Sequence, residues 1–193
     1  MNAVRRIIGC YFRYVKGCFT MADVVLQKRA FFRNSELLAY NAKTKEQFHV
    51  ENSVTHSQLW SFSADNLHES FDRSFRGLPA NRQIKDMSSV KEEKYFKDIL
   101  KTYRSLGFSP SKVKRIFVVW RVKPGVDVKN VSDVYHKKHG IRVEILSFRD
   151  QILSSLQGKF SNCFYHDEEV LGALSLIAQR DIEIRGNRSV VRS

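Results

Sequence analysis

The chain has 193 residues, of which 42% are apolar and 12% aromatic, and its 33 basic and 20 acidic side chains give a net charge of +13. This composition excludes an intrinsically disordered chain and predicts one globular domain that is large enough to bury a full core. No apolar run approaches the roughly 18 residues that a membrane span needs. We expect a single domain over residues 1–181, followed by a basic, flexible tail over residues 182–193.

The excess positive charge is confined to two windows of the chain. Residues 1–33 carry a net charge of +6 and residues 99–126 carry +7, whereas the other 132 residues balance. Clustered positive charge is typical of a protein that binds a polyanion, most often nucleic acid. We expect DNA as the partner, with RNA left open, and a solubilising surface or an anionic membrane as the alternatives. The residues expected to hold phosphates are Arg5, Arg6, Arg13, Lys112, Lys114 and Arg115.

The cysteines bear on the cellular compartment. Cys10, Cys18 and Cys163 form neither a close pair nor a metal-binding spacing, which favours a reducing cytoplasm. The amino-terminal segment is amphipathic, contains arginines and lacks acids, so a mitochondrial presequence is the alternative. Whether the protein forms a homodimer stays open.

The hydrophobic periodicity alternates between helix and strand patterns along the chain. Meandering strands followed by a strand–helix–strand unit predict an α/β fold, in which a central mixed sheet is flanked by helices. The predicted elements are, in order, a helix over residues 2–16, strands over 19–28, 35–40 and 47–55, helices over 64–76 and 89–106, a strand over 116–120 after a basic link over 108–115, a helix over 127–140, a strand over 141–146, and helices over 149–156 and 167–180.

The second and third strands form a predicted β-hairpin that carries two acidic residues, Glu36 and Glu51. The polar stretch over residues 41–46 is suited to the turn. Because side chains alternate between the faces of a strand, the two carboxylates converge on one side if the strands pair. Two convergent carboxylates suit a hard divalent cation such as Mg²⁺. The alternative is a pair of solvated carboxylates on an exposed sheet face.

This order of elements, with acids on adjacent middle strands, resembles the PD-(D/E)XK nucleases, which have the restriction-endonuclease-like fold. Glu36 stands where that family has its first acid, and Val50-Glu51-Asn52-Ser53 stands for the family's hydrophobic–(D/E)–x–K element. The resemblance covers residues 1–157. It implies a restriction-endonuclease-like core in which Glu36 and Glu51 bind Mg²⁺ and act in the hydrolysis of a phosphodiester.

The sequence departs from the family pattern at Ser53, which occupies the lysine position. A serine hydroxyl carries no positive charge with which to activate water. Lys28 and Lys45 are candidates for a relocated lysine, and His49 is a candidate proton carrier because it lies two residues before Glu51 on the same face. A partly exposed histidine without a catalytic role is the other interpretation of His49. The candidate catalytic set is therefore Glu36, His49, Glu51 and Ser53.

Three functions fit these observations. The first is a nucleic-acid-binding protein of restriction-endonuclease-like fold that acts as a Mg²⁺-dependent DNA nuclease. The second is a catalytically inactive binding or recruitment module, which Ser53 favours. The third is a protein-interaction domain whose basic surface meets an acidic protein or a membrane.

Overall fold

The structure, a computed structural model, describes residues 3–24, 36–54, 62–77 and 92–160. Within these ranges the side chains of Glu36, of residues 92–95 and of Phe160 are not described. The predictions for Lys28, for the helix over residues 167–180 and for the tail over residues 182–193 lie outside the described residues.

Five strands form one mixed sheet, in which the spatial order follows the order along the chain. The first three strands are antiparallel neighbours, whereas the third, fourth and fifth run parallel. Parallel neighbours need a crossover connection, which the helices supply here. The strands are β1 (Phe19–Val24), β2 (Glu36–Tyr40), β3 (Gln47–Ser53), β4 (Val113–Val119) and β5 (Val143–Ser147).

Helices flank the sheet, as the sequence predicts, and several of them contain π-helical turns. Asp127 accepts hydrogen bonds from the backbone N–H groups of Lys129 and Asn130, at 2.9 and 3.1 Å, so it caps the following helix. The helices are α1 (Ala3–Cys10) with a π-helical turn over Tyr11–Val15, α2 (Ala64–Phe71) with a π-helical turn over Asp72–Arg76, α3 (Glu92–Ser105), α4 (Val128–His139), and α5 (Ser154–Phe160) after a π-helical turn over Phe148–Leu153.

The two faces of the sheet have separate apolar layers. On the first face, α1 and α5 pack against Leu37, Val50 and Ile116. On the second face, α2, α3 and α4 cover alternate strand residues such as Leu38 and Phe117. We call these the α1 face and the α3 face. The fold is therefore a three-layer arrangement of helices, sheet and helices.

The start of β4 corrects one prediction. Residues 108–115 were expected to form a basic link, but β4 begins at Val113, which pairs with Gln47 of β3. Lys114 and Arg115 therefore lie on a strand, with Lys114 exposed and Arg115 only 9% exposed. Two consecutive charged residues interrupt the apolar run by which a buried strand is recognised.

A buried tyrosine joins α4 to the π-helical turn that follows α2. The hydroxyl of Tyr135 donates a hydrogen bond to Asp72 Oδ1 at 2.8 Å, and Arg76 donates to the same oxygen at 2.8 Å. Tyr135 is 1% exposed. Burial, together with the negative charge of Asp72, raises the pKa of the Tyr135 hydroxyl well above its ordinary value.

We predict that Tyr135→Phe lowers the free energy of unfolding by about 1–3 kcal/mol at neutral pH, because Asp72 loses a buried donor. The raised pKa keeps Tyr135 neutral in the folded state, whereas the unfolded chain ionises it above about pH 10. The advantage of the wild type is therefore complete below that pH and shrinks as the pH rises above it. Urea unfolding of both proteins at pH 7 and pH 10.5 measures this, and a gap that widens at high pH would contradict it.

Candidate functional site

A chain of three buried polar side chains lies on the α3 face of the sheet. The strand β3 contributes His49 and Glu51, and the helix α3 contributes Tyr103. His49 Nδ1 lies 2.6 Å from the Tyr103 hydroxyl, and His49 Nε2 lies 3.3 Å from Glu51 Oε1. Tyr103 and His49 are 0% exposed and Glu51 is 4% exposed. The three side chains thus form a hydrogen-bonded chain that is shielded from water.

The position of His49 in the middle of the sheet explains its burial. It pairs with Leu38 of β2 on one side and with Arg115 of β4 on the other. Its imidazole ring meets the ring of Phe75 edge to face, with centroids 5.0 Å apart, and that of Tyr103 at 5.7 Å. Aromatic rings on two sides restrict the orientation of the imidazole.

In one assignment of donors and acceptors, every hydrogen on the polar groups of Tyr103, His49 and Glu51 is used in these two hydrogen bonds. An ionised Glu51 can only accept, so His49 Nε2 carries a hydrogen and donates to Oε1. In a neutral imidazole Nδ1 is then an acceptor, and it receives the hydroxyl hydrogen of Tyr103. The Tyr103 hydroxyl has no other hydrogen bond among the described residues, so the alternative with a protonated Nδ1 leaves this hydrogen without an acceptor there.

Two sequence-based interpretations of this region are wrong. Without a catalytic role, His49 was expected to be partly exposed. Without a bound cation, Glu51 was expected to be solvated. Both side chains are buried. The reason is that α3 covers this face of β3. Tyr103 was missed because it belongs to the apolar stripe of α3. The signal for Tyr103 is a hydroxyl within an apolar stripe, because a buried tyrosine hydroxyl needs a partner and the neighbouring strand contains a histidine.

The register brings the two predicted acids to facing positions. Leu37 pairs with Val50, and Leu38 pairs with His49. One further step along the ladder places the backbone of Glu36 opposite Glu51, as the predicted hairpin requires. The side chain of Glu36 lies outside the described part, so its contact with a cation remains a prediction. Ser53 is half-buried at the last position of β3, two residues beyond Glu51 on the same face.

Lys45 is the candidate for a relocated lysine that lies within the described residues. Lys45 is exposed in the turn before β3, at the opposite end of that strand from Ser53.

Arg115 is the cation that the register places beside His49. Its Nη1 donates to the Val113 carbonyl at 3.5 Å and its buried Nε has no hydrogen-bond partner among the described residues. Arg115 therefore adds positive charge to the interior of the α3 face and does not present it as a surface contact.

The predicted phosphate contacts in α1 lie on the other side of the sheet from Glu51. Arg5 is 3.4 Å from Asp23 Oδ1, and Arg6 is exposed. The guanidinium of Arg13 lies 5.6 Å from the centre of the Tyr14 ring. Because α1 covers the α1 face, the structure does not bring these three arginines to Glu51.

A separate group of lysines surrounds the turn between β2 and β3. Asn41, which begins this turn, donates a hydrogen bond to the Lys16 carbonyl at 2.7 Å, so the end of α1 meets the turn. Gln47 accepts a hydrogen bond from the Ser109 N–H at 2.7 Å, so the segment before β4 meets it as well. We call the exposed lysines of these three segments the turn-end lysines: Lys16, Lys43, Lys45, Lys112 and Lys114.

One acid lies among the turn-end lysines. Glu46 accepts a hydrogen bond from the Lys114 ammonium group, and this bond lowers the pKa of Glu46 below its ordinary value. The other four turn-end lysines have no ion pair with a described residue. Lys112 and Lys114 were predicted as phosphate contacts, whereas the proximity of Lys16, Lys43 and Lys45 to them depends on the fold.

The acids of the α3 face are compatible with a divalent cation. The described residues contain no group of three His, Cys, Asp or Glu side chains that could hold a metal ion. Mg²⁺ commonly keeps several waters and takes only one or two protein carboxylates. Glu51 is one carboxylate on this face, and the backbone of Glu36 lies at the facing position, so a cation between them stays a prediction.

No family model, no curated protein and no solved structure matches this chain. Among the described residues, no helix is both long and apolar enough to cross a membrane.

A double-mutant cycle tests the chain of hydrogen bonds. We predict that Tyr103→Phe costs about 1–3 kcal/mol of stability, because it leaves the buried Nδ1 of His49 without its donor. In a His49→Phe background the same hydroxyl deletion should cost less, with a coupling energy of about 0.5–3 kcal/mol. Urea unfolding of the four proteins measures the coupling. Additive effects would contradict the hydrogen bond.

Proposed function

We propose that this protein binds nucleic acid and is built on a restriction-endonuclease-like core in which Glu51 and Glu36 hold a divalent cation. The observation that carries the proposal is the buried carboxylate of Glu51, which faces the backbone position of a second acid across a β-hairpin. His49 pairs with one oxygen of this buried carboxylate, and a cation at the other oxygen would compensate the rest of its burial.

The arrangement of the elements supports the core. The described order is a helix, three antiparallel strands, helices, and then a strand that returns parallel to the third. This is the order on which the resemblance to the PD-(D/E)XK nucleases rests. The acids lie on the second and third strands, as they do in that pattern.

The charge balance around Glu51 supports the cation. Its hydrogen-bond partner His49 contacts Oε1 at 3.3 Å. No lysine or arginine lies within 4 Å of it among the described residues. Arg115, one strand beyond His49, contributes only at longer range. A divalent cation between Glu51 and Glu36 would neutralise both carboxylates.

The proposed chemistry is hydrolysis of a phosphodiester. When bound, Mg²⁺ would act as a Lewis acid on a phosphate oxygen and lower the pKa of a bound water. Glu51 and Glu36 would hold the cation, and Ser53, at the end of β3, would offer a neutral hydroxyl to the substrate. The turn-end lysines, together with Arg6 on α1, would hold phosphates of the polymer.

A second candidate function is binding without cleavage. Ser53 favours it, because a hydroxyl cannot supply the positive charge of the missing lysine, and Lys45 lies at the far end of β3. In this case the same cations would hold the nucleic acid, and binding would not depend on Mg²⁺.

Glu51→Gln tests the catalytic form of the proposal. We predict that it abolishes Mg²⁺-dependent cleavage of plasmid or single-stranded DNA while the mobility shift remains, because the amide keeps the shape and loses the charge that binds the cation. Glu144→Gln is the matched control, since Glu144 is exposed on β5, outside the proposed site and the turn-end lysines, and should leave cleavage intact. Cleavage that survives Glu51→Gln would reject the metal assignment. A shift without cleavage in the wild type would select the binding module.

Removal of the turn-end lysines tests the phosphate contacts. Replacing Lys43, Lys45 and Lys112 by Ala should lower the slope of log K against log salt concentration by about 3. The control replaces Lys129, Lys137 and Lys138 of α4 by Ala; these lysines are also exposed, and the replacement removes the same charge. Equal slopes for the two triple variants would show that overall charge, and not the turn end, determines binding. A wild type that binds no nucleic acid at low salt would reject this part of the proposal.

A further inference from the structure

We infer that Tyr103 and His49 are positioning residues that hold Glu51 in place for a divalent cation. This inference rests on the proposed function, and it gives His49 a role different from that of a proton carrier. Tyr103 orients His49, and His49 in turn holds one oxygen of Glu51. Neither residue touches the cation or the substrate.

The geometry of His49 excludes direct exchange with solvent in this conformation. The imidazole is 0% exposed, and both of its ring nitrogens lie within hydrogen-bond distance of a side chain, Tyr103 on one side and Glu51 on the other. A group that is enclosed in this way is suited to fixing a neighbour. The rings of Phe75 and Tyr103 hold the imidazole from two sides.

The two carboxylate oxygens of Glu51 therefore have different surroundings. His49 Nε2 contacts Oε1 at 3.3 Å, and no hydrogen bond to Oε2 occurs among the described residues. A carboxylate that is held at one oxygen can present the other in a fixed direction. Hydrogen-bond partners of metal-binding carboxylates commonly contribute 10–100-fold to metal affinity. We therefore expect Oε2 to face the cation. The hydrogen bonds that run from Tyr103 through His49 to Oε1 would set the direction of the carboxylate.

The anchor of this chain is α3. Tyr103 lies in its last turns and packs with Ile99 against Leu38 of β2, so the hydroxyl is fixed by the docking of the helix on the sheet. This links the affinity of the site to a contact between two layers of the fold.

Binding of Mn²⁺, followed by calorimetry, tests the inference. Tyr103→Phe should weaken Mn²⁺ binding by about 10–100-fold. Tyr135→Phe is the matched control, because it also removes one buried, hydrogen-bonded hydroxyl, but that hydroxyl donates to Asp72 and not to His49. It should bind Mn²⁺ as the wild type does. Equal affinities of the two variants would overturn the inference.

A second pair of variants decides the matter if Tyr103→Phe does not fold. His49→Gln can still donate to Glu51 and accept from Tyr103, so it should bind Mn²⁺ with near wild-type affinity. His49→Leu removes both bonds and should show the 10–100-fold loss. Equal binding by these two variants would overturn the positioning role.

Glu51→Gln separates the inference from the proposed function. If the wild type binds Mn²⁺ and Glu51→Gln does not, the metal assignment stands and the Tyr103 and His49 variants alone decide the positioning role. If Glu51→Gln binds Mn²⁺ as the wild type does, or the wild type binds none, the metal assignment falls and the positioning role falls with it.

Discussion

The hydrogen bond between His49 and Glu51 is the interaction on which the central region depends. It allows a carboxylate to sit in the interior of the α3 face, where an ionised group would otherwise be costly. The bond requires His49 to be oriented, and Tyr103 supplies that orientation from α3. The position of the Glu51 carboxylate thus depends on His49 of the same strand and, through Tyr103, on the packing of α3 against the sheet.

The charged groups of the molecule are separated along β3. The turn-end lysines surround the start of this strand, and Glu51 lies four residues further on, about 13 Å away at 3.3 Å per residue. The arginines of α1 lie on the opposite face. In the proposed function, the turn end would therefore provide the affinity for a polyanion, and the α3 face would provide the chemistry. The two properties can be altered independently because they reside on different segments.

The sequence predicted the mixed sheet and most of its strands because period-two patterns and turn residues are local signals. It also predicted that Glu36 and Glu51 can converge on one side of the sheet if the strands pair, because side chains alternate between the faces of a strand. It did not predict the start of β4, because Lys114 and Arg115 obscure the apolar pattern there. It also gave no indication that His49 and Glu51 would be buried. Burial of a strand face is decided by which helix packs on it, and neither periodicity nor spacing encodes that pairing.

Tyr103 illustrates the same limit at a single residue. In the sequence it is one of several aromatic residues in the stripe of α3, and its spacing is that of a core residue. The structure confirms that it is in the core. Its hydroxyl acquires a role only because His49 lies opposite, and the two residues are 54 positions apart in the chain.

Crystals of the protein soaked in Mn²⁺ test the central claim most directly, because the anomalous signal locates the ion. The account predicts one peak between Glu51 Oε2 and the carboxylate of Glu36, with His49 still hydrogen-bonded to Glu51 Oε1. A data set with no peak there, in which Glu51 is instead paired with Arg115 or another cation of the chain, would contradict it. The α3 face would then be a structural core with a buried ion pair.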